Sequence, residues 1–317
     1  MTETGKNCDG VNSRRLQRKY SQCNNRLVIR MKLTADEIGE FFKLYKSLIF
    51  YINTKKKLID GLESPYDVDM SNDIAELRNF AVKDHSLIDS FVGENPFKFT
   101  DDELKTVESW KKGILSKFLI VKYDKDYTMF FHPETRRCYG VLYLNDSFGK
   151  MLGPYLPVHL ETWIIPFNGK IIYDGLILSS PISFGSTLGK SVISEGMEAA
   201  VKYGVVTSFD MHEDKTASDE ELLRFYMKTE QNRGKYWEEI DELSEKSPEL
   251  EAVYHQEYGR YRSRKARAGL RKVGVSGFFG MIDDTVIAGA QSRKEFDKIV
   301  KGLVPKEKMG WIFYFKV

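Results

Sequence analysis

The spacing of apolar residues predicts helices in the first third of the chain. From Ile38 to Ile52 these residues recur at i, i+3, i+4 and i+7, and Thr34 with Glu37 forms a capping box where this helix begins. The same spacing predicts a second helix from about Asn72 to Phe91. These patterns assign residues 31–115 to a helical unit.

Beyond Gly113 the apolar period shortens toward two, which predicts strands. Turn residues separate five short segments that are rich in β-forming residues. The predicted strands run from Phe118 to Tyr123, Tyr127 to Phe131, Cys138 to Leu144, Val158 to Ile165 and Ile171 to Leu178. A helix from about Ser186 to Tyr203, ended by Gly204, is expected to pack across them. Residues 116–210 are therefore expected to form a small antiparallel sheet or a partly open barrel with a packing helix.

The last third of the chain combines a charged helical arm with a second small sheet. Ser218 and Glu221 form a capping box that opens an acidic and aromatic helical stretch, which Pro248 interrupts. Residues 211–272 are predicted to form this arm. Residues 273–317 follow the order strand, strand, helix, strand, which predicts a C-terminal ββαβ unit. The fold class expected for the whole chain is α+β.

Composition fits a globular protein with more than one packing unit. The chain has 317 residues, of which 42% are hydrophobic and 30% are charged. Residues 1–30 are polar and basic without apolar periodicity, so we expect a disordered tail there. The formal net charge is only +2, so nucleic-acid binding would depend on local patches. No apolar run approaches the ~20 residues of a membrane helix, and no secretory signal is recognisable, so a cytoplasmic protein is expected.

The sequence predicts no metal site and no cofactor. Cys8, Cys23 and Cys138 lie far apart and the histidines are scattered, so neither a zinc site nor a disulfide framework is indicated. The stretch from Gly185 to Ser191 is similar to a phosphate-binding loop, but it is one residue short of that motif. We interpret it as the beginning of a helix.

The clearest charge feature is a run of cations with no acid between them, close to Tyr258 and Tyr261. Its members are Arg260, Arg262, Arg264, Lys265, Arg267, Arg271 and Lys272. Such a run could neutralise several phosphates, and the tyrosines could stack on bases. The alternative is a solvated helix end whose cations pair with the acids of the preceding helix. Those acids are Glu238, Glu239, Asp241, Glu242, Glu245, Glu249 and Glu251.

A second candidate site is the hairpin predicted from Val158 to Leu178. Its candidate residues are His159, Glu161, Lys170, Tyr173 and Asp174. A histidine and a carboxylate that lie close together across a hairpin could act as an acid/base pair. The alternative is a solvated strand face with an ion pair, because no nucleophile or oxyanion hole is marked in the sequence.

The same hairpin carries a likeness to other proteins. Its residues Pro166-Phe167-Asn168-Gly169-Lys170-Ile171-Ile172-Tyr173-Asp174-Gly175 follow Asn95-Pro96, Trp110, Gly140-Val141 and Leu156-Pro157. This succession, over roughly residues 38–209, resembles a group of uncharacterised microbial proteins, some of which carry a C-terminal SEC-C zinc motif. This chain lacks the cysteine cluster of that motif and ends in the ββαβ unit instead. The resemblance implies a shared architecture and supplies no activity.

These features favour a non-catalytic interaction protein that binds nucleic acid or another protein. The alternative is a hydrolase-like enzyme that uses the His159, Glu161 and Asp174 face. The final strand from Trp311 to Val317 is aromatic and strongly β-forming, so an open edge there would invite association. It is expected either to lie within its own small sheet or to pair with a second copy of the chain, which would give a homodimer.

Overall fold

The computed structural model describes residues 32–179, 184–210 and 216–317. The predicted tail, with Cys8 and Cys23, lies outside the described residues. The helical unit contains α1 (Ala35–Lys56), α2 (Ala75–Lys83), α3 (Ser86–Glu94) and α4 (Asp101–Ser109), with 3-10 turns at Pro65–Asp67, Asn72–Ile74 and Trp110–Lys112. The capping box of Thr34 and Glu37 is present at the start of α1, as the sequence predicts.

The single helix predicted from Asn72 to Phe91 is in fact two helices, α2 and α3. The chain leaves the helical conformation at Asp84, whose carboxylate accepts a hydrogen bond from the backbone N–H of Ser86 at 3.2 Å. Aspartate competes for backbone donors in this way and so ends helices. The apolar spacing continues across the break because both helices face the same core.

The middle of the chain forms a closed barrel of five strands. The strands of this sheet are β1 (Ile114–Tyr123), β2 (Thr128–His132), β3 (Arg137–Leu142), β4 (Val158–Phe167), β5 (Lys170–Tyr173), β6 (Leu178–Ser179) and β7 (Val205–Val206). The barrel order is β1-β2-β3-β5-β4, and β4 closes the ring by pairing with β1. All barrel pairs are antiparallel except β3 with β5, which run parallel. The predicted α+β class with a small barrel is confirmed.

A short helix, α5 (Phe148–Leu152), lies between β3 and β4 in the chain and contributes Phe148 to the core. The ring of Phe148 packs against Phe130 and Tyr173, with both centroid distances at 5.0 Å. In its number of strands the barrel resembles the five-stranded Greek-key barrel called the OB-fold.

The helical unit and the barrel share one hydrophobic core. The ring of Phe41 on α1 lies 6.0 Å from Trp110 and 5.9 Å from Phe167 on β4, centroid to centroid. The boundary near residue 115 is therefore a change of secondary structure without a gap in the packing.

A long helix, α6 (Ser186–Tyr203), covers the outer face of β1, β2 and β3. The stretch from Gly185 to Ser191 begins this helix, with Gly185 at the N-cap and Ser186 to Ser191 in its first turns. The buried side chains beneath α6 include Val121, Phe131 and Cys138. Gly196 makes the close approach possible, because a Cβ atom at this position would lie 2.9 Å from the side chain of Val121.

The charged arm consists of four helices, and the last of them extends to the C-terminal unit. These helices are α7 (Asp219–Met227), α8 (Glu230–Lys235), α9 (Trp237–Glu245) and α10 (Pro248–Lys272). Their small shared core contains Leu223, Tyr226, Met227, Tyr236, Ile240, Leu243 and Val253. Pro248 stands in the first turn of α10, where its missing N–H costs no hydrogen bond.

The C-terminal unit has the predicted ββαβ order. Its elements are β8 (Phe278–Ile282), β9 (Thr285–Ala290), α11 (Arg293–Leu303), a 3-10 turn at Lys306–Trp311 and β10 (Phe313–Lys316). The final strand pairs with β8 at the edge of a three-stranded sheet in the order β10-β8-β9. One face of the sheet packs against Ala266 and Leu270 of α10, and the other packs against α11. Pairing with a second copy of the chain stays a prediction.

No helix in the described ranges is both long enough and apolar enough to cross a membrane.

Candidate nucleic-acid interface

The hairpin residue Asp174 is fully buried and does not lie on an open catalytic face. Its carboxylate accepts hydrogen bonds from the hydroxyl of Tyr45 at 3.0 Å and from the hydroxyl of Thr162 at 3.2 Å. The guanidinium of Arg78, also fully buried, lies 3.5 Å away. Burial raises the pKa of Asp174 above its ordinary value, and the charge of Arg78 opposes that rise. We call Tyr45, Arg78, Thr162 and Asp174 the buried cluster, and it joins the helical unit to the barrel.

His159 and Glu161 precede Thr162 on β4, and their side chains alternate with that of Thr162, so they point to the other face of the strand. The backbone N–H of Asp174 bonds to Trp163, four residues beyond His159, which corresponds to about 13 Å along a strand. His159 is opposite Leu119 of β1 in the strand register. The hairpin therefore brings no acid/base pair together from His159 and Asp174.

The other two hairpin candidates have separate roles. The ammonium of Lys170 forms an ion pair with Glu37 of α1 at 2.7 Å, and this contact ties the hairpin to the helical unit. Tyr173 packs against Phe148, and burial raises the pKa of its hydroxyl to about 12. Both residues stabilise the packing around the barrel.

The basic run lies along α10, and its cations differ in exposure and in whether they have a partner. Arg262 and Arg267 are half-buried, and their guanidinium groups lie over the rings of Tyr258 and Phe315. Arg260 forms an ion pair with Glu257 at 3.2 Å. The exposed cations with no acid within ion-pair distance in the described chain are Arg264, Lys265, Arg271 and Lys272. None of the seven acids considered above as partners pairs with the run.

A cleft of about 520 Å³ lies beside this run, between α8 and α9 on one side and α10 on the other. We call it the tyrosine groove. It is lined by Met227, Glu230, Arg233, Gly234, Trp237, Ile240, Asp241, Tyr254, Tyr258, Tyr261 and Arg262. Its two arginines and two acids balance, so the groove itself is close to neutral. The unpaired cations follow it along the same helix.

The walls of the tyrosine groove are stacked rings and guanidinium planes. Tyr254 and Tyr258 stack with centroids 6.1 Å apart and planes 14° apart. The guanidinium of Arg233 lies 3.7 Å from the ring centroid of Tyr261, and that of Arg262 lies 5.5 Å from the same centroid. The side chain of Trp237 is 61% exposed, which is high for an indole. Flat cationic and aromatic surfaces of this kind are what unpaired bases stack on.

Two buried polar atoms next to the groove have no hydrogen-bond partner in the part of the chain that the structure describes. They are Nη2 of Arg233 and Nε of Arg262. Arg233 uses its other terminal nitrogen to donate to the backbone carbonyl of Met227 at 2.7 Å, which holds its guanidinium in place. Buried donors are hydrogen-bonded in most proteins, so these two atoms are exceptions beside the groove.

The barrel does not have the open ligand-binding face that is common in small five-stranded barrels. OB-fold barrels bind their ligands across the face of the second and third strands. In this protein α6 covers that face, and the thiol of Cys138 on β3 donates to the carbonyl of Gly196 on α6 at 3.2 Å. Burial raises the pKa of this thiol to about 12, so it stays protonated at neutral pH. This face of the barrel is therefore not open to a ligand.

Sequence reasoning found the cations of α10 and two of its tyrosines, but it missed the opposite wall. Tyr254, Tyr258 and Tyr261 are spaced at i, i+4 and i+7, a signal that places them on one helix face. Arg233 and Trp237 come from other helices, and no local spacing connects them with the tyrosines.

No group of three or more histidine, cysteine or acidic side chains suited to a metal ion occurs within the described ranges. Comparisons with protein-family models, with curated proteins and with solved structures find no match to this chain, so the resemblance to the microbial group stays a prediction.

Proposed function

We propose that this protein is a non-catalytic binder of single-stranded nucleic acid, which it holds along α10. The observation that carries the proposal is the stack of tyrosines and arginines in the tyrosine groove. It is directly followed on the same helix by cations that have no acidic partner among the described residues. Bases would enter the neutral aromatic groove, and phosphates would lie along the exposed cations.

The geometry favours a single strand over a duplex. Stacking on Tyr254, Tyr258 or Trp237 requires bases that have left their own stack, as in single-stranded segments. From Tyr254 to Lys272 the helix is about 27 Å long, which is enough for several nucleotides. Phosphate and ring contacts carry little sequence information, so binding is expected to tolerate many sequences.

The hydrolase alternative has less support. His159 and Asp174 are not brought together, and Asp174 is occupied by Tyr45, Thr162 and Arg78. A protein partner at the tyrosine groove is the competing form of the same proposal, and the experiment below separates the two.

The test is fluorescence anisotropy with labelled single-stranded DNA and RNA of about 12 nucleotides, over a series of salt concentrations. Unchanged protein should bind saturably, and a duplex of the same length should bind more weakly. Trp237→Ala should lower the affinity roughly fivefold to a hundredfold with an unchanged salt slope, since stacking is worth about 1–3 kcal/mol per base.

A charge-reversal pair tests the phosphate contacts separately. Arg264→Glu with Lys265→Glu should weaken binding and reduce the salt slope by about 1.4, because each lost contact removes about 0.7 for single strands. The control is Lys294→Glu with Lys298→Glu, an equal charge change on exposed positions of α11. Absence of binding, or equal losses in the test and control pairs, would refute the proposal and favour a protein partner.

A further inference from the structure

A second pocket opens on the helical unit, far along the chain from the tyrosine groove. It has a volume of about 590 Å³ and lies between α1, the 3-10 turn at Pro65–Asp67 and the loop that joins α3 to α4. Its lining residues are Gly39, Phe42, Lys43, Lys46, Ser47, Pro65, Tyr66, Phe97, Lys98, Phe99 and Glu103. We call it the lysine pocket. Its volume is within the range of small-molecule sites, about 300–1,000 Å³.

The apolar part of the lysine pocket consists of aromatic rings. Phe97 and Phe99 lie 5.8 Å apart between centroids, and both pack against the buried ring of Phe91 beneath them. Phe42 on α1 and Tyr66 on the 3-10 turn complete the aromatic lining. The side chain of Tyr66 is 91% exposed, so its ring is available to a ligand. A flat apolar group would find rings on several sides of this pocket.

The loop between α3 and α4 is fixed in place, so the pocket is preformed. Asn95 ends α3 in the left-handed conformation with a φ of 41°. Its side-chain oxygen accepts a hydrogen bond from the backbone N–H of Phe99 at 2.7 Å, and its side-chain nitrogen donates to the carbonyl of Phe99 at 2.9 Å. The Asn95-Pro96 pair thus presents Phe97, Lys98 and Phe99 as a rigid turn.

The charged part of the pocket is cationic. Three lysines and one glutamate line it, which leaves a net charge of +2. Lys43 is occupied, because it forms an ion pair with Glu103 and lies over the ring of Phe99. Lys46 and Lys98 have no acid within ion-pair distance in the part of the chain that the structure describes. Two free ammonium groups beside an aromatic surface match a ligand that is both flat and anionic.

We infer that the lysine pocket binds a small aromatic anion, with its ring on Phe42, Phe97 and Phe99 and its anionic group on Lys46 and Lys98. A carboxylate and a phosphate share the required chemistry. This site is independent of the nucleic-acid proposal, because its residues belong to other elements of the fold.

The experiment is calorimetric titration of the full chain with 2-naphthoate, 2-naphthyl phosphate and the neutral 2-naphthalenemethanol. At least one anion should bind saturably with a dissociation constant below about 1 mM, and the alcohol should bind at least about tenfold more weakly. The stronger of the two anions identifies the preferred anionic group.

Two variants locate the site. Lys46→Met with Lys98→Met keeps the apolar stems and should lower anion affinity about tenfold or more, with unchanged alcohol affinity and thermal midpoint. Lys294→Met with Lys298→Met is the matched control on α11 and should change nothing. The inference is overturned if neither anion binds saturably, if the alcohol binds as tightly as the anions, or if the two double variants behave alike. Oligonucleotide binding by the Lys46 and Lys98 variant should be unchanged, so the two proposals can fail separately.

Discussion

The buried cluster and the tyrosine groove use similar residues in opposite surroundings. In the buried cluster the groups of Tyr45, Arg78 and Asp174 are fully enclosed, with Tyr45 and Arg78 both in contact with the Asp174 carboxylate. Arg78 also donates to Asn79 at 3.1 Å, and its Nη2 has no partner within the described ranges. In the groove Tyr258 and Arg262 are also paired, with the guanidinium donating to the hydroxyl at 2.8 Å, but both line an open cleft. The difference is desolvation: groups that have lost water depend on protein partners for their hydrogen bonds, whereas groups at an open cleft stay available to a ligand.

This comparison also separates polar residues that are expected to affect folding from polar residues that are expected to affect binding. A buried ion pair is weak evidence for net stability, but breaking one leaves a charge without compensation. The buried cluster joins α1 and α2 to the barrel and is therefore expected to control folding. The tyrosine groove is expected to control binding, with little effect on folding.

The largest expected effect comes from Asp174→Asn. It removes the charge that compensates Arg78 inside the core, and the free energy of unfolding should fall by about 3–5 kcal/mol. Urea denaturation can be followed through Trp110 and Trp163, which are buried in the same core. The additional change Arg78→Leu should restore part of the loss. If the Asp174→Asn protein is as stable as the unchanged chain, the pair of Arg78 and Asp174 does not contribute to the free energy of unfolding.

A matched pair of glycine substitutions compares the covered barrel face with the open groove. In Gly196→Ala the new Cβ would lie 2.9 Å from Val121, so the free energy of unfolding should fall by about 1–3 kcal/mol. In Gly234→Ala the Cβ meets no atom within 4 Å, and the better helix propensity should raise stability by up to about 1 kcal/mol. Thermal denaturation of the two variants measures the contrast. Equal effects at both positions would mean that α6 is not tightly docked on the barrel.

The same hydroxyl deletion can be made in both tyrosine environments. Tyr45→Phe removes a donor to the Asp174 carboxylate and should lower the free energy of unfolding by about 1–3 kcal/mol. Tyr258→Phe removes a hydroxyl at an open cleft and should cost no more than about 0.5 kcal/mol, while the ring continues to stack. Urea denaturation and oligonucleotide anisotropy, run on both variants, give the two readouts. A large loss of stability in Tyr258→Phe would contradict the comparison.

The smallest expected effect concerns pH and Glu198 on α6, which lies between the barrel and the arm. Burial by itself raises the pKa of Glu198, but hydrogen bonds from Lys202 and Tyr236 outweigh it, so the pKa lies below its ordinary value. A folded-state pKa below the unfolded value, about 4.3, gives stability that is present above that pH and is lost as the pH falls.

Glu198→Gln should therefore destabilise the protein at neutral pH and change it less at acidic pH. Thermal midpoints measured from about pH 7 down to pH 3 would show a shallower acid limb for the variant. A parallel downward shift at every pH would assign Glu198 a packing role only.

The sequence by itself determined the local elements. The capping boxes at Thr34 and Ser218 mark the beginnings of α1 and α7, and the stop at Gly204 marks the end of α6. These signals can be read from sequence because they depend on hydrogen bonds and apolar spacing within a few residues. The basic run and the tyrosines of α10 were found for the same reason.

Only the tertiary structure decided which elements meet. Apolar spacing shows that a face is buried but not what covers it, so the parallel β3–β5 pair could not be predicted. A helix packed across the strands was expected, but the spacing did not show that it covers β1, β2 and β3. The partners of Asp174 lie 129 residues away at Tyr45 and 96 residues away at Arg78. Because of these contacts Asp174, a predicted site residue, has a structural role in the core. In the same way, the fold placed Arg233 on Tyr261, and it formed the groove by bringing Arg233 and Trp237 to tyrosines with which no local spacing connects them.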